Sequence, residues 1–263
     1  MNKLLWPVFG TSFIFLMTCL GSSVVFFFRD KTNKSVQTVF LGFAAGIMIA
    51  ASVFGLLVPA IEESEASGFI GWVPAAAGFL IGVLFLFALD KIIPHLHPES
   101  GVREGLSSSM KRTTLLVSAV TLHNIPEGMA VGLSFALAAS HSDDPMMYSS
   151  AVALALGIGI QNFPEGAAVS LPLRREGFST GKSFLVGCLS GATEPLFGLL
   201  ILLISGVIGP FMPWLLAFSA GAMLYVVVEE LIPEAHLDEH SHFGTMSVMA
   251  GFIIMMILDV ALG

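Results

Sequence analysis

Charge is what this chain has least of. Asp, Glu, Lys and Arg make up 11% of its 263 residues, where a soluble domain carries about 25%. With 55% hydrophobic residues and a mean hydropathy of +0.88, that deficit argues against a water-soluble fold and for a protein that crosses the membrane several times. Cysteine is nearly absent as well. Cys19 and Cys188 both lie inside apolar runs, so there is no disulfide framework, and packing is the simplest role for each. Basic residues number 11 against 19 acidic ones, a net charge of −8 that offers no basic surface for nucleic acid. Catalytic signatures are missing too. No H-E-x-x-H and no paired E-x-x-H helices occur, so the chain is not expected to be an enzyme.

What the chain has instead is long apolar runs. A helix needs about 20 residues to cross ~30 Å of hydrocarbon. Eight runs satisfy that length, at 5–28, 36–60, 69–93, 113–139, 148–172, 180–205, 211–232 and 243–263. The expected fold is therefore all-α: a polytopic membrane protein of eight transmembrane helices, with residues 1–263 forming a single transmembrane domain. The first run, from Leu4 to Phe28, is too long for a signal-peptide core and has no A-x-A-like cleavage site, so it is expected to be a retained helix.

The eleven Lys and Arg residues are not spread evenly. Arg29, Lys31 and Lys34 fall between spans one and two. Lys91, Arg103, Lys111 and Arg112 lie between spans three and four, and Arg174, Arg175 and Lys182 between five and six; Lys3 alone lies elsewhere. Loops rich in Lys and Arg remain in the cytosol, which places both termini outside it in a multi-pass cell-membrane protein. The loop after span seven is cytosolic by alternation but carries no basic residue. Acidic stretches such as Glu62-Glu63-Ser64-Glu65 then face outward, where they attract cations.

Short sequence echoes relate the two ends. Phe43-Ala44-Ala45-Gly46-Ile47-Met48 matches Phe218-Ser219-Ala220-Gly221-Ala222-Met223, and Pro59 and Pro233 stand near the far ends of those spans. Ala77-Gly78-Phe79-Leu80-Ile81 matches Ala250-Gly251-Phe252-Ile253-Ile254 in the same order. Spans four and five carry the closest pair: His123-Asn124-Ile125-Pro126-Glu127-Gly128 and Gln161-Asn162-Phe163-Pro164-Glu165-Gly166. Matched spans lie an odd number of crossings apart, which predicts a 3+2+3 inverted repeat, the arrangement of secondary transporters that bind substrate near the midplane.

Those last two strings carry the chemistry. A carboxylate near the bilayer centre costs at least ~2.5 kcal/mol and is a functional-site hypothesis by default. His123 lies ten residues inside span four, about 15 Å at 1.5 Å per residue, which is half the hydrocarbon. Glu127 is four residues further on and Asn124 three before it, so the three share one helix face. Gln161, Asn162 and Glu165 repeat that spacing. Neither stretch supplies a Lys or Arg, so the cluster calls for a cation. Glu194, in Thr193-Glu194-Pro195, adds a third acid. Carboxylates alone suit Mg²⁺ or Ca²⁺, whereas imidazole and a nearby thioether shift the preference toward Zn²⁺ and its neighbours. Glu62 and Asp259 stand near the outer ends of their spans as entry residues. Asp90, His95, His97, Glu229, Glu230, His236, His240 and His242 gather at the inner side as an exit or regulatory group.

HNIPEG and QNFPEG in this setting closely resemble the ZIP (Zrt/Irt-like) family of divalent metal transporters, the second string in its GufA-type form. The resemblance covers the whole chain. It implies movement of Zn²⁺ toward the cytosol, with Fe²⁺, Mn²⁺ and Cd²⁺ as further substrates. It also implies a binuclear metal centre and an elevator-like motion of spans one, four, five and six against the rest. Carried over by motif, one ion falls to His123, Glu127, Gln161 and Glu165 with Met48 as a soft neighbour. The other falls to Asn124, Glu127, Asn162, Glu165 and Glu194. Many relatives have an acid where Asn162 stands, and the His-rich third loop of many is reduced to His95-Leu96-His97. The expected partners are divalent ions, the lipid bilayer and a second copy of the chain in a homodimer. An intramembrane metalloenzyme and a passive divalent-metal channel are the alternatives.

Overall fold

A computed structural model describes residues 5–27, 34–92, 95–96, 103–104, 112–141, 145–235 and 242–262. Helix dominates, as hydrocarbon requires, because a spanning backbone must satisfy its own N–H and C=O groups. The helices are α1 (Leu5–Ser22), α2 (Lys34–Ala50), α3 (Val58–Ala66), α4 (Trp72–Ile92), α5 (Arg112–Ser140), α6 (Pro145–Arg175), α7 (Thr180–Ser190), α8 (Thr193–Ile208), α9 (Met212–Val226), α10 (Ile232–Glu234) and α11 (Phe243–Leu262). Among the described residues, six helical stretches are long and apolar enough to cross a membrane. One of them, Thr180–Leu231, is 52 residues long. At about 1.5 Å per residue it reaches about 78 Å, more than two crossings, and the 3-10 turn Gly209–Phe211 divides it.

Three departures from the sequence expectation bear on the site. The second span does not end at residue 60. A π-helical segment, Ala51–Leu57, joins α2 to α3, and the helix runs on to Ala66, so Glu62 lies within α3 rather than closing a span. A matching π segment, Val227–Leu231, joins α9 to α10. Both precede a proline, Pro59 and Pro233. The expected span at 180–205 is two helices. Gly191 and Ala192 close α7 with N–H bonds to the Cys188 and Leu189 carbonyls, both 3.1 Å, and α8 begins afresh at Thr193. The third departure is small: His95–Leu96 (β1) and Arg103–Glu104 (β2) pair antiparallel, His95 opposite Glu104.

Two sets of helices emerge from the packing. In one, α1 lies along α6 and α5 along α8, with α7 against α1 and α6. In the other, α2 lies along α11 and α4 along α9. Within each set several of the close approaches are backbone to backbone. A side chain at Gly128 of α5 would run into the Glu194 carbonyl of α8, and one at Gly46 of α2 would meet the Val248 carbonyl of α11. Glycine supplies that clearance. Between the sets, the fillers are side chains, as where Leu154 of α6 packs against Gly55. Buried Ile47, Met48, Leu56, Leu133, Leu154, Ile158 and Met223 form the core, while Leu203, Val207 and Leu16 stay exposed on outward faces, as lipid-facing side chains do.

Candidate metal centre

Pro126 and Pro164 sit inside α5 and α6 without ending either helix. Each proline lacks the N–H that its turn would donate. The Pro126 carbonyl itself accepts from the Ser219 hydroxyl of α9 at 2.9 Å, a contact from another helix. The six polar residues of the two strings therefore keep their helical register, and the spacing read from the sequence is preserved in space.

One cavity receives four of them. His123, Glu127, Gln161 and Glu165 line it together with Met48 of α2 and Glu230 of the Val227–Leu231 segment. Its remaining wall is apolar, with Leu41, Val120, Val226 and Leu231. The Gln161 amide donates from Nε2 to Glu127 Oε1 at 2.6 Å and also to Asn162 Oδ1. His123 Nε2 stands 2.6 Å from Glu230 Oε1.

Behind the cavity lies a second polar layer with no exposed surface. Asn124, Asn162 and Glu194 are all 0% exposed. Asn124 Nδ2 donates to the Ser190 carbonyl at 3.0 Å, and Asn162 Nδ2 reaches the Ile14 carbonyl at 3.4 Å. Thr18 of α1 donates to Glu194 Oε1 at 2.9 Å. Glu194 reaches this layer because the α7–α8 break places it in the first turn of α8, where the helix N-terminus favours negative charge. Glu127, Glu165 and Glu194 are close enough to feel one another's charge.

These donors do not saturate the acceptors. Asn124 Oδ1, Glu127 Oε2, Glu165 Oε1 and Glu194 Oε2 are buried with no hydrogen-bond partner. Leaving a buried acceptor unmet costs about 1–3 kcal/mol, and more when it is charged. Four such oxygens on neighbouring residues are acceptors that a cation would satisfy. Among the described residues, no three His, Cys, Asp or Glu side chains already stand as a complete chelate. Amide oxygens and the Met48 thioether would have to complete the donor set.

The other candidate residues lie apart. Glu62 is exposed on α3 and Asp259 half-buried on α11, and neither lines the cavity. Asp90 is buried at the end of α4, while Glu229 and His242 are exposed. His95 is placed only by its backbone pairing with Glu104. His97, His236 and His240 fall outside the described residues. Sequence reading missed Thr18, Ser190 and Ser219, whose hydroxyls or carbonyls hold the centre from other helices. A threonine or serine in an apolar run gives no local sign of its partner, since these groups usually bond back to their own helix.

A bundle of long apolar helices enclosing buried, undersupplied carboxylates and amides defines the class: a multi-pass membrane protein with a polar centre. Comparison narrows it. The family profile described as ZIP Zinc transporter matches residues 95–259. The chain is 36% identical to zinc transporter ZIP11 of Homo sapiens, over 97% of this chain and 96% of the relative. It is 38% identical to zinc transporter GufA of Myxococcus xanthus over 94% of each. With zinc transporter ZIPB of Bordetella bronchiseptica the identity is 39%, over 98% of this chain and 82% of the relative. The chain belongs to the ZIP zinc transporter family.

Proposed function

We propose that this protein carries Zn²⁺ across the cell membrane toward the cytosol through a midplane centre that holds two ions. The observation that carries the reading is the set of four buried, unpartnered oxygens on Asn124, Glu127, Glu165 and Glu194. A divalent ion would satisfy several of them at once. The cavity-lining residues His123, Glu127, Gln161 and Glu165, with Met48, take the first ion. Asn124, Glu127, Asn162, Glu165 and Glu194 take the second, the two glutamates bridging. His123 and Met48 favour Zn²⁺ over hard ions, with Fe²⁺, Mn²⁺ and Cd²⁺ as lesser substrates. The names of the relatives, all zinc transporters, support the same cargo.

The two helix sets suggest the motion. Eight spans in a 3+2+3 inverted repeat map the α2–α11 contact onto the α9–α4 contact, and α1–α6 onto α8–α5. Each set is locked internally by glycine-mediated backbone contact, whereas side chains fill the seam, so the first set can slide as an elevator against the second. The basic loops lie in the cytosol and both termini outside it. A cysteine placed at Arg103 should resist labelling from outside, and one at Asp143 should react.

The test is Zn²⁺ uptake by the purified protein in liposomes, with Mg²⁺, Mn²⁺ and Cd²⁺ as competitors. Saturable uptake that disappears in the Glu127→Ala, Glu165→Ala double variant is expected. Unchanged Zn²⁺ binding stoichiometry in that folded variant would refute the site.

A further inference from the structure

The contact between His123 and Glu230 joins the two helix sets at the centre itself. We infer that Glu230 is a built-in competitor for His123, which an arriving ion must displace before the histidine can act as a ligand. The inference rests on the metal-site reading proposed above and adds an element to it.

Three observations converge. The His123 Nε2 to Glu230 Oε1 distance is 2.6 Å, with the two side chains only 11% and 7% exposed, so the pair is a sheltered one that water does not readily exchange. A ring nitrogen has one in-plane direction for a partner. While the carboxylate occupies it, no ion can approach Nε2 at the ~2.0–2.1 Å of a Zn–N bond. The second observation is where Glu230 comes from. It belongs to the π segment Val227–Leu231, and the flanking Val228 and Glu229 are exposed while Glu230 is turned inward at 5%. An inserted π turn rotates the following side chains relative to a regular helix, and such bulges cluster at functional sites. Here the bulge is what aims the carboxylate at α5. The third is that α5 is also held to α9 one turn further on, through Ser219 and the Pro126 carbonyl. His123–Glu230 is thus part of a two-point fastening between a helix of the first set and a helix of the second. Opening it frees a ligand and loosens the seam in one event.

Glu230 also faces the same cavity as Glu127 and Glu165, so a role as a plain ligand is the rival. The two roles predict opposite signs. Equilibrium Zn²⁺ binding to the purified full chain should be measured for the wild type, Glu230→Ala, His123→Ala and the double variant. As a competitor, Glu230 lost to alanine should tighten Zn²⁺ binding by about tenfold, the order of one hydrogen bond to a charged group. The tightening should vanish in the His123→Ala background. Zn²⁺ release in liposomes should slow in the tighter variant. Weaker or unchanged binding in Glu230→Ala overturns the inference, as does tightening that persists without His123. Should the alanine variant fail to fold, Glu230→Gln, which keeps the shape and loses the charge, carries the same comparison with a smaller shift. Glu127→Ala in the same series separates the failures: loss of Zn²⁺ binding there sustains the metal site whatever Glu230 does, and retained binding there refutes that site instead.

Discussion

The strings at 123–128 and 161–166 share Asn, Pro, Glu and Gly at the same offsets, but their first residues have different surroundings. Gln161 turns inward to its twin helix and donates to Glu127. His123 turns across the seam to Glu230 on the other helix set. The glutamates diverge too: Glu127 is 1% exposed, whereas Glu165 is only partly buried. A duplicated sequence thus produces one half that braces the centre and one half that connects it to the rest of the molecule. The shared spacing fixes the geometry of the face, and the neighbouring helix determines what each face does.

The largest effect should come from what the halves share. Glu127→Ala or Glu165→Ala should each weaken Zn²⁺ binding at least about 100-fold, since even outer partners of metal sites are worth about 10–100-fold. Isothermal titration on purified protein measures this, and near-equal losses are expected because the proposed function assigns both carboxylates to both ions. A loss confined to one of them would show that the halves are not equivalent.

The next experiment sharpens the contrast between the first residues. His123→Ala should erode preference for Zn²⁺ over Mg²⁺ and Ca²⁺, because the one imidazole lining the cavity among the described residues goes with it. Gln161→Ala should lower affinity for all ions alike while leaving their order intact. Competition uptake in liposomes distinguishes the two, and equal selectivity in both variants would defeat the contrast.

Smaller effects are expected deeper in the centre. Glu194→Ala should remove about one ion per chain by metal counting and leave the Zn²⁺ preference in place, since its layer contains no imidazole. Thr18→Val, which takes away the donor to Glu194 Oε1, should weaken only that second ion, by no more than about tenfold for a single hydrogen bond to a carboxylate. Full stoichiometry in the Glu194 variant would separate Glu194 from the metal layer.

Much of the centre was legible because its signals are local. Glutamates without basic neighbours in apolar runs, and a histidine four residues before one of them, fall on one helix face by geometry alone. Met48 was legible only through family likeness, and its place in the cavity wall depends on α2 crossing near α5 and α6. The break between α7 and α8 was missed because Gly191-Ala192 sits in an otherwise continuous apolar stretch, where length argues for one helix. Glycine and the Thr-Glu-Pro that follows were the available signs, since Thr and Pro favour helix starts. The π segments left no sign beyond the prolines after them. A π turn differs from an α turn by one hydrogen-bond step, which composition does not encode.

By itself, then, the sequence determined that this chain lives in a bilayer, that it is helical, and which side chains form the two polar faces. Hydrophobic length and the 3.6-residue period are properties of a segment, and a segment carries them wherever it packs. Tertiary structure alone decided which acceptors remain unmet, that Thr18 steadies Glu194, and that His123 is held by Glu230 from another helix. Those facts depend on distances between segments up to 176 residues apart. Pairing across such a separation is fixed by how whole helices pack, and no local pattern records it.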